Sequence, residues 1–411
     1  MKVCVVGLGY VGLPTAIALD RAGHDVYGYD IDEDTVASLS RGESRIRDGY
    51  VDMHLNTTNV TFETGIQSCD AYIICVPTPI DERFDPDFRP LIAALETVGA
   101  AMPSDALVVV ESTVNPGVCE ETVVPLLSRS RKTYYLAHCP ERINPGDGTW
   151  TVENIPRVIG GISEDDTILA AKLYDSFIQA PVTRLRSIRE AEATKILENT
   201  FRDVNIAFVN EMAMSFDKLG IDIVDVIGGA STKPFGFMPF YPGAGVGGHC
   251  IAVDPYYMIE RGRRSGFDHE FLRLARKINE GMPRFVAGLV VEELNRAGHP
   301  LAGTRVALLG LAYKPDVADD RESPAYPLLA ELLSGGCHVR VYDPFVTCSA
   351  SVPSLEQALD GAVAAAIVTA HSEFVADEDK IAECGIIIDG RNCLNRDALV
   401  ARGVVYRGIG R

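Results

Sequence analysis

The fold of this chain is decided by its first stretch, residues 1–12, which has the sequence MKVCVVGLGYVG. The apolar run Lys2–Val6 predicts a short buried strand, and the glycines after it predict a tight turn into a helix that ends near Arg21. A second strand is predicted at Asp25–Tyr29, directly before Asp30. This order of strand, glycine-rich turn, helix and strand predicts a βαβ unit of a parallel sheet.

The glycine-rich turn is a GxGxxG pattern made by Gly7, Gly9 and Gly12. Between a strand and a helix, such glycines let a pyrophosphate approach the helix N-terminus closely. Asp30 lies eighteen residues after Gly12, where a carboxylate hydrogen-bonds an adenosine ribose. Asp32 adds negative charge and no arginine adjoins it in the sequence, so NAD is favoured over NADP. The alternative is a glycine-rich turn that binds nothing.

Two later loops follow apolar strands and are expected at the same edge of the sheet. They are Cys75–Pro79 and Glu111–Val114. The hydroxyls of Thr78 and Thr113 can serve the nicotinamide half of the cofactor or a catalytic water. A local role in stabilising each turn explains these threonines equally well.

The rest of the chain predicts a second sheet of the same kind. After strands at Ala71–Val76, Ala106–Val110 and Tyr134–Ala137, a long helix without glycine or proline is predicted from Ser187 to Leu219. A further helical stretch covers Asp268–Arg296.

Residues from 303 onward then repeat the pattern of the N-terminus. Thr304–Tyr313 matches Lys2–Tyr10, and Gly336–Asp343 matches Gly23–Asp30. The fold class is therefore α/β, with two Rossmann-like, doubly wound parallel-sheet domains joined by a long central helix. The predicted boundaries are 1–186 for an NAD-binding domain, 187–298 for a central helical domain and 299–411 for a second Rossmann-like domain.

Composition excludes several classes of partner. The formal net charge of -19 argues against nucleic acid and against an anionic membrane. The apolar start, Val3–Leu19, is interrupted by glycines and lacks a cleavage site, so no signal peptide or membrane segment is expected. Ten scattered cysteines without a CxxC pair predict no metal site and favour a reduced, cytoplasmic protein.

The most unusual stretch is residues 242–255, PGAGVGGHCIAVDP. Four glycines shortly before Cys250 indicate a loop whose amides approach a ligand closely. A thiolate near a helix start would be stabilised, which favours Cys250 as a nucleophile. Most free cysteines are buried and inert, and that interpretation is kept for the other nine.

Polar residues on the long helix complete a candidate reactive site. Lys195, Asn199 and Arg202 fall at i, i+4 and i+7 and therefore share one face. Beside a thiolate, a lysine and an asparagine supply a cation and an amide donor for a developing oxyanion. Glu141 follows a strand end and is available as a base or a water-orienting group. A solvated polar helix face is the alternative.

The second Rossmann-like half has lost two glycines and gained basic residues. Gly310 is followed by Lys314, and Arg321 and Arg391 lie further along. Basic residues in place of tight glycines suit a different pyrophosphate, such as a UDP group.

These motifs together resemble the UDP-glucose/GDP-mannose dehydrogenase family over essentially the whole chain. The Glu111–Thr113 loop, Pro140–Arg142, the Lys195/Asn199 pair, the GGHC loop and Arg321–Pro324 all occur in family order. The resemblance implies that NAD accepts a hydride from C6 of a sugar and that Cys250 captures the aldehyde as a thiohemiacetal. A second NAD-dependent oxidation then gives a thioester, which water hydrolyses.

The resemblance also implies roles for individual residues. Catalytic roles fall to Cys250, Lys195, Asn199, Asp254, Glu141 and Thr113. NAD contacts fall to Gly7, Gly9, Tyr10, Val11, Gly12, Asp30, Thr78, Thr113 and Arg321. Contacts to the nucleotide sugar fall to Glu141, Arg142, Ile143, Lys195, Asn199, Arg202, Gly247, Tyr313, Lys314 and Arg391. Family members are homodimers that share the long central helix, and no metal is implied.

Two features of the sequence point to different sugars in the substrate. Ala252, where many members carry proline, resembles UDP-N-acetylmannosamine dehydrogenases, and residues 232–237, TKPFGF, resemble UDP-N-acetylglucosamine 6-dehydrogenases. UDP-N-acetylmannosamine is favoured, with UDP-N-acetylglucosamine and UDP-glucose as alternatives. A two-electron β-hydroxyacid dehydrogenase shares the Rossmann start but needs no thiol. A non-enzymatic NAD-binding protein would leave Lys195, Asn199 and Cys250 without a role.

Overall fold

A computed structural model describes residues 1–46, 48–81, 85–143, 149–248 and 251–411. These residues form two compact units. The first contains Met1–Glu198 and Tyr256–Phe267, and the second contains Asn199–Pro255 and Asp268–Arg411. The division into domains at 1–186, 187–298 and 299–411 stays a prediction.

Strands and helices alternate along most of the described chain. The strands are β1 (Lys2–Val6), β2 (Asp25–Tyr29), β3 (Thr61–Glu63), β4 (Ala71–Ile74), β5 (Ala106–Val110), β6 (Tyr134–His138), β7 (Arg157–Gly161), β8 (Val182–Arg184), β9 (Arg305–Leu309), β10 (His338–Tyr342), β11 (Ala364–Ile367), β12 (Ile386–Asp389) and β13 (Val405–Gly408). The helices are α1 (Gly12–Arg21), α2 (Glu33–Ser40), α3 (Gly49–His54), α4 (Arg89–Ala101), α5 (Val124–Ser128), α6 (Glu164–Tyr174), α7 (Ile188–Leu219), α8 (Ile223–Ser231), α9 (Asp254–Arg264), α10 (Glu270–Arg296), α11 (Ala325–Ser334), α12 (Leu355–Leu359), α13 (Ser372–Ala376), α14 (Glu378–Ile381) and α15 (Arg396–Ala401). The predicted strands and helices are confirmed, with ends that differ by at most two residues.

The first unit contains an eight-stranded sheet in the order β3-β2-β1-β4-β5-β6-β7-β8. Neighbouring strands are parallel except β6 and β7, which are antiparallel. The strand order reverses between β1 and β4, and β1 is central with four of its five residues buried. Ligands of open α/β sheets bind at the carboxyl ends of strands where the order reverses. The GxGxxG turn directly follows β1 and therefore lies at this point.

The second unit contains a five-stranded, fully parallel sheet in the order β10-β9-β11-β12-β13. Its start repeats the first sheet in backbone detail, because Gly310 after β9 has a φ of +98° and Gly7 after β1 has a φ of +90°. The two Rossmann-like sheets predicted from the repeat are thus confirmed. Apolar residues of α7, α8 and α10 pack on one face of this second sheet.

The predicted long helix is α7, which has 32 residues and continues from the first unit into the second. It carries Lys195, Asn199 and Arg202 in its N-terminal half. Within the described part of the chain, none of the helices combines the length and the apolar character that crossing a membrane requires.

Candidate active site

The turn after β1 has the geometry that a pyrophosphate site needs. A side chain at Gly12 would overlap the carbonyl oxygen of Gly7, so the turn closes only with glycine there. A side chain at Gly9, by contrast, would meet no atom within 4 Å, so this side of the turn is open to a ligand. The following helix α1 begins after Val11 without a side-chain cap and has no acidic residue in its first turn. Its N–H groups suit an anion.

Asp30 closes this turn from the end of β2. Its Oδ2 accepts a hydrogen bond from the N–H of Leu8 at 2.8 Å, and its Oδ1 accepts one from the N–H of Asp32 at 3.0 Å. The sequence argument found no arginine beside Asp32, but Arg45 lies 3.6 Å from the Asp32 carboxylate. This arginine comes from a loop thirteen residues later, so only the folded chain brings it near.

The two predicted threonine loops contact each other at the ends of β4 and β5. The hydroxyl of Thr78 donates to the carbonyl oxygen of Thr113 at 2.7 Å, and that of Ser112 donates to the carbonyl oxygen of Val76 at 2.7 Å. Thr78 therefore ties the loops together, which is the local role left open by the sequence. Thr113 is half-buried.

Glu141 follows β6 and is held at three points. Its Oε1 accepts the N–H groups of Arg142, at 2.6 Å, and of Ile143, while its Oε2 accepts from Nη1 of Arg157 at 2.7 Å. Glu141 is only 7% exposed and Arg157 is completely buried. The main-chain oxygen of Glu141 accepts a hydrogen bond from Nζ of the buried Lys195, at 2.5 Å. The first unit thus brings together Glu141, Ile143 and Lys195.

A second buried carboxylate, Glu111, links this group to the cofactor turn. It accepts a hydrogen bond from the hydroxyl of Tyr174 at 2.5 Å and lies 3.5 Å from Sγ of Cys75. The main chain of Cys75 lies directly against the glycine turn. Burial raises the pKa of Glu111 to about 7, although the charge of Arg157 opposes that shift. Arg157 was not predicted as a site residue; its signal in the sequence is a charged residue at the start of the apolar strand β7.

The guanidinium of Arg142 has partners within the protein. Its guanidinium pairs with the carboxylate of Glu198 at 2.6 Å and donates to the carbonyl oxygen of Pro156 at 2.8 Å. A substrate phosphate would have to compete with Glu198 for this cation. The predicted contact of Arg142 with the nucleotide sugar stays a prediction.

In the second unit, Asn199 and Asp254 are directly bonded. Nδ2 of Asn199 donates to Oδ2 of Asp254 at 2.6 Å, and both side chains are buried. One of the two amide hydrogens of Asn199 is bonded to Asp254, and this bond fixes the orientation of the asparagine side chain. Arg202, one turn further along α7, is exposed.

The glycine loop before Cys250 packs closely on the second sheet. A side chain at Gly243 would overlap the guanidinium of Arg391, and one at Gly247 or Gly248 would lie within 2.8 Å of Tyr313. Glycine is therefore required for this close packing on Arg391 and Tyr313, whereas the close approach of the loop amides to a ligand stays a prediction. Cys250 itself, and His249 before it, lie outside the described residues.

Two arginines of the second unit contact this loop. The main-chain oxygen of Arg321 accepts a hydrogen bond from the N–H of Gly248 at 3.0 Å, and its guanidinium pairs with Asp319 at 2.6 Å. Nε of Arg391 donates to the carbonyl oxygen of Val368 at 2.7 Å. Lys314 is half-buried next to Tyr313. The second unit thus brings Gly247, Tyr313, Arg321 and Arg391 together.

With this geometry in place, comparison with known proteins is decisive. Family profiles match residues 1–178 (UDP-glucose/GDP-mannose dehydrogenase family, NAD binding domain), 189–281 (central domain) and 307–396 (UDP binding domain). The chain belongs to the UDP-glucose/GDP-mannose dehydrogenase family. It is an NAD-dependent oxidoreductase that acts on a nucleotide sugar.

Similar proteins of this family cover all or most of the chain. The UDP-N-acetyl-D-mannosamine dehydrogenase of Pyrococcus horikoshii is 38% identical over 100% of this chain and 99% of its own. The UDP-N-acetyl-D-glucosamine 6-dehydrogenase of Pseudomonas aeruginosa is 38% identical over 91% of each chain. The solved structure of UDP-D-ManNAc dehydrogenase from Pyrococcus horikoshii superposes with a TM-score of 0.93 at 37% identity, over 100% of this chain and 99% of that one.

The second sheet of this dehydrogenase has adapted its Rossmann turn to another use. Asp343 occupies the position of Asp30 in the repeat, but it is completely buried. Its carboxylate accepts the N–H groups of Leu311 and Ala312 at 2.6 and 2.8 Å. A carboxylate that is enclosed in this way is not available to a ribose. NAD therefore belongs to the first sheet, in agreement with the family's NAD binding domain.

The raised pKa of Glu111 predicts how the stability of the dehydrogenase depends on pH. Between the ordinary value of 4.5 and about 7, the folded state keeps a proton that the unfolded state has lost. Stability therefore falls as pH rises through this window, by about 1.4 kcal/mol per pH unit from this group alone. Glu111→Gln should flatten that slope between pH 5 and 7.

Denaturant unfolding followed by fluorescence of Trp150, the only tryptophan and a residue of the first unit, measures this slope. Glu331→Gln, at an exposed position of α11, is the control and should keep the wild-type slope. A Glu111→Gln protein with the wild-type slope would contradict the assignment.

Proposed function

We propose that this dehydrogenase oxidises the C6 hydroxyl of UDP-N-acetylmannosamine to a carboxylate in two NAD-dependent steps, with Cys250 as the nucleophile. The four-electron reaction needs an acid–base group for the alcohol, a nucleophile for the aldehyde and a donor for the oxyanion. The observation that carries the proposal is the pair of anchored polar side chains on α7, where Lys195 is bonded to Glu141 and Asn199 is bonded to Asp254.

Lys195 is the proposed acid–base group. It is 8% exposed, and its ammonium donates to the main-chain oxygen of Glu141. In the first step Lys195, in its neutral amine form, takes the proton of the C6 hydroxyl and becomes the ammonium; NAD, when bound, would supply the hydride acceptor. The ammonium then stabilises the oxyanion that forms when the thiolate of Cys250 adds to the aldehyde.

Asn199 is the second proposed oxyanion donor. Its bond to Asp254 holds the amide in one orientation, so no reorganisation is required as the negative charge develops. Asp254 lies four residues after Cys250 in the sequence, so both belong to the same stretch. In the last step the thioester is hydrolysed, and Glu141 and Thr113 are the proposed groups that orient the water.

Nucleotide binding is proposed for the basic residues around the glycine loop. Tyr313, Lys314 and Arg391 would contact the UDP group, with Arg142 and Arg202 on the sugar side and Arg321 toward NAD. Two relatives are named for different N-acetylhexosamines, mannosamine and glucosamine, at the same 38% identity. The solved structure named for the mannosamine sugar covers this whole chain, which supports the choice of that sugar.

The decisive experiment counts NADH formed per sugar consumed. UDP-N-acetylmannosamine, UDP-N-acetylglucosamine and UDP-glucose are offered separately, and the product is analysed by mass spectrometry. We expect two NADH and a uronate from the first sugar. One NADH with a released aldehyde would exclude the four-electron mechanism and favour a simple two-electron dehydrogenase. Two NADH from another sugar would keep the mechanism and change the substrate.

We also propose a homodimer formed through α7. Phe201, Phe208 and Leu219 are 47%, 59% and 65% exposed. At 100° per residue they lie within about 20° of one another on the helix surface. An apolar stripe of this kind, made of large side chains exposed along one line of a long helix, is typical of a protein–protein interface.

A charge in this stripe tests the dimer. Phe208→Glu should shift the mass measured by light scattering at micromolar concentration from dimer to monomer, because a desolvated carboxylate opposes association. Met53→Glu, at an apolar position of α3 that is 73% exposed, is the control and should stay dimeric. A dimeric Phe208→Glu protein would exclude this face.

We further infer a reducing, cytoplasmic compartment, since the nine described cysteines are all free.

A further inference from the structure

The segment 310–316, which follows β9, carries two of the proposed nucleotide contacts, Tyr313 and Lys314. Its first residues are held by Asp343, as described above. The hydroxyl of Thr369 also donates to the main-chain oxygen of Ala312. Both contacts act on the start of the segment, so its far end requires separate support.

His371, two residues after Thr369, supplies that support. It is completely buried, and its Nδ1 lies 3.0 Å from the N–H of Asp316. A main-chain N–H can only donate, so Nδ1 is the acceptor and the ring proton is on Nε2. Nε2 lies 3.0 Å from Oδ2 of Asp343 and therefore donates to it. One neutral imidazole thus connects the carboxylate at the start of the segment with the main chain at its end.

The ring of His371 is fixed by its neighbours. Phe345 stacks on it at a centroid distance of 5.2 Å and an interplanar angle of 23°, and Phe374 meets it edge-on at 5.3 Å. Because both nitrogens are bonded and two aromatic rings contact it, the imidazole has one orientation. The position of Asp343 therefore determines, through this ring, the position of the main chain at Asp316.

Asp316 adopts a backbone conformation that needs this support. Its φ of +58° lies in the left-handed region, which costs free energy for a residue with a side chain. Its carboxylate accepts the N–H and the hydroxyl of Ser372, at 3.0 and 2.5 Å. Residues 369, 371 and 372 therefore clamp the segment from Ala312 to Asp316, and the segment turns sharply between these points.

The consequence reaches the glycine loop. Tyr313 lies inside the clamped segment, and its side chain packs directly on Gly247 and Gly248. We propose that His371 is a positioning residue for the nucleotide-sugar site, which it serves by fixing the segment that carries Tyr313 and Lys314. This inference rests on the proposed role of those two residues in binding UDP.

Binding of UDP, measured by calorimetry on the full-length protein, tests the proposal without turnover. His371→Phe keeps an aromatic ring and removes both hydrogen bonds, and it should weaken UDP binding about tenfold or more, since small displacements of binding groups are costly. His371→Gln can donate to Asp343 and accept from Asp316, and it should stay within about threefold of wild type. The affinity for NAD should be unchanged in both variants.

A core variant separates positioning from general stability. Leu399→Ala removes a completely buried side chain of the second unit and should shift denaturant unfolding of that unit to lower denaturant while UDP binding stays normal. The proposal is overturned if Leu399→Ala weakens UDP binding as much as His371→Phe, or if folded His371→Phe binds UDP like wild type. If His371→Phe does not fold, the Gln variant decides, because a tenfold loss there would also overturn the proposal.

Failure of the proposed function gives a different result. A wild-type protein that binds UDP but forms no NADH from any of the three sugars would refute the proposed reaction and leave the UDP experiment valid. A wild-type protein that does not bind UDP would refute the nucleotide site, and the role of His371 with it.

Discussion

Replacing Cys250 by alanine should lower steady-state NADH formation about a thousandfold or more, because the covalent route from aldehyde to acid then has no nucleophile. NAD affinity should change by less than about twofold, since the cofactor turn Gly7–Gly12 lies in the first unit and is built without this residue. Stopped-flow absorbance measures the rate of NADH formation, and fluorescence titration measures the affinity for NAD.

Cys348→Ala is the matched control. Cys348 is the exposed member of the nine described cysteines, so it reports what loss of an accessible thiol does by itself. This variant should retain wild-type turnover, and iodoacetamide should inactivate it as it inactivates wild type. If Cys250→Ala kept more than about a tenth of the wild-type rate, the thioester mechanism would be wrong and a two-electron dehydrogenase would account for the activity.

The fold followed from the sequence because its signals are local. The run Lys2–Val6 and the turn Gly7–Gly12 each predict their own backbone, and the repeat of this pattern after residue 303 predicts a second sheet. The glycine conformations are confirmed at Gly7 and Gly310. Local patterns of this kind do not depend on partners that are distant in the sequence.

Parts of the candidate site could not be predicted, because they depend on partners from distant segments. Arg157 meets Glu141 across sixteen residues, and Arg45 approaches Asp32 across thirteen. The hydrogen bond between His371 and Asp343 spans twenty-eight residues. Motif spacing carries no information on these pairs, so Arg142 was assigned to substrate without its partner Glu198.

Replacing Arg157 by methionine should destabilise the first unit by about 3–5 kcal/mol, the usual effect of removing one partner of a buried ion pair. The guanidinium has no exposure to water, and it neutralises Glu141 at 2.7 Å while its charge also acts on Glu111. Denaturant unfolding followed by Trp150 fluorescence should therefore shift to lower denaturant. Arg276→Met breaks the buried pair with Asp203 in the second unit and should leave this transition unchanged.

A triple variant then separates stability from function. In Glu111→Gln/Glu141→Gln/Arg157→Met, no buried charge is left uncompensated, so most of the lost stability should return. Turnover should nevertheless stay at least about a hundredfold below wild type, because Glu141 no longer carries the charge proposed to orient the hydrolytic water. Recovery of both stability and turnover would mean that the charges of Glu111, Glu141 and Arg157 only hold the main chain around Glu141 in place. Recovery of stability alone would mean that the charges are retained for the reaction, since neutral side chains of the same shape support the fold equally well.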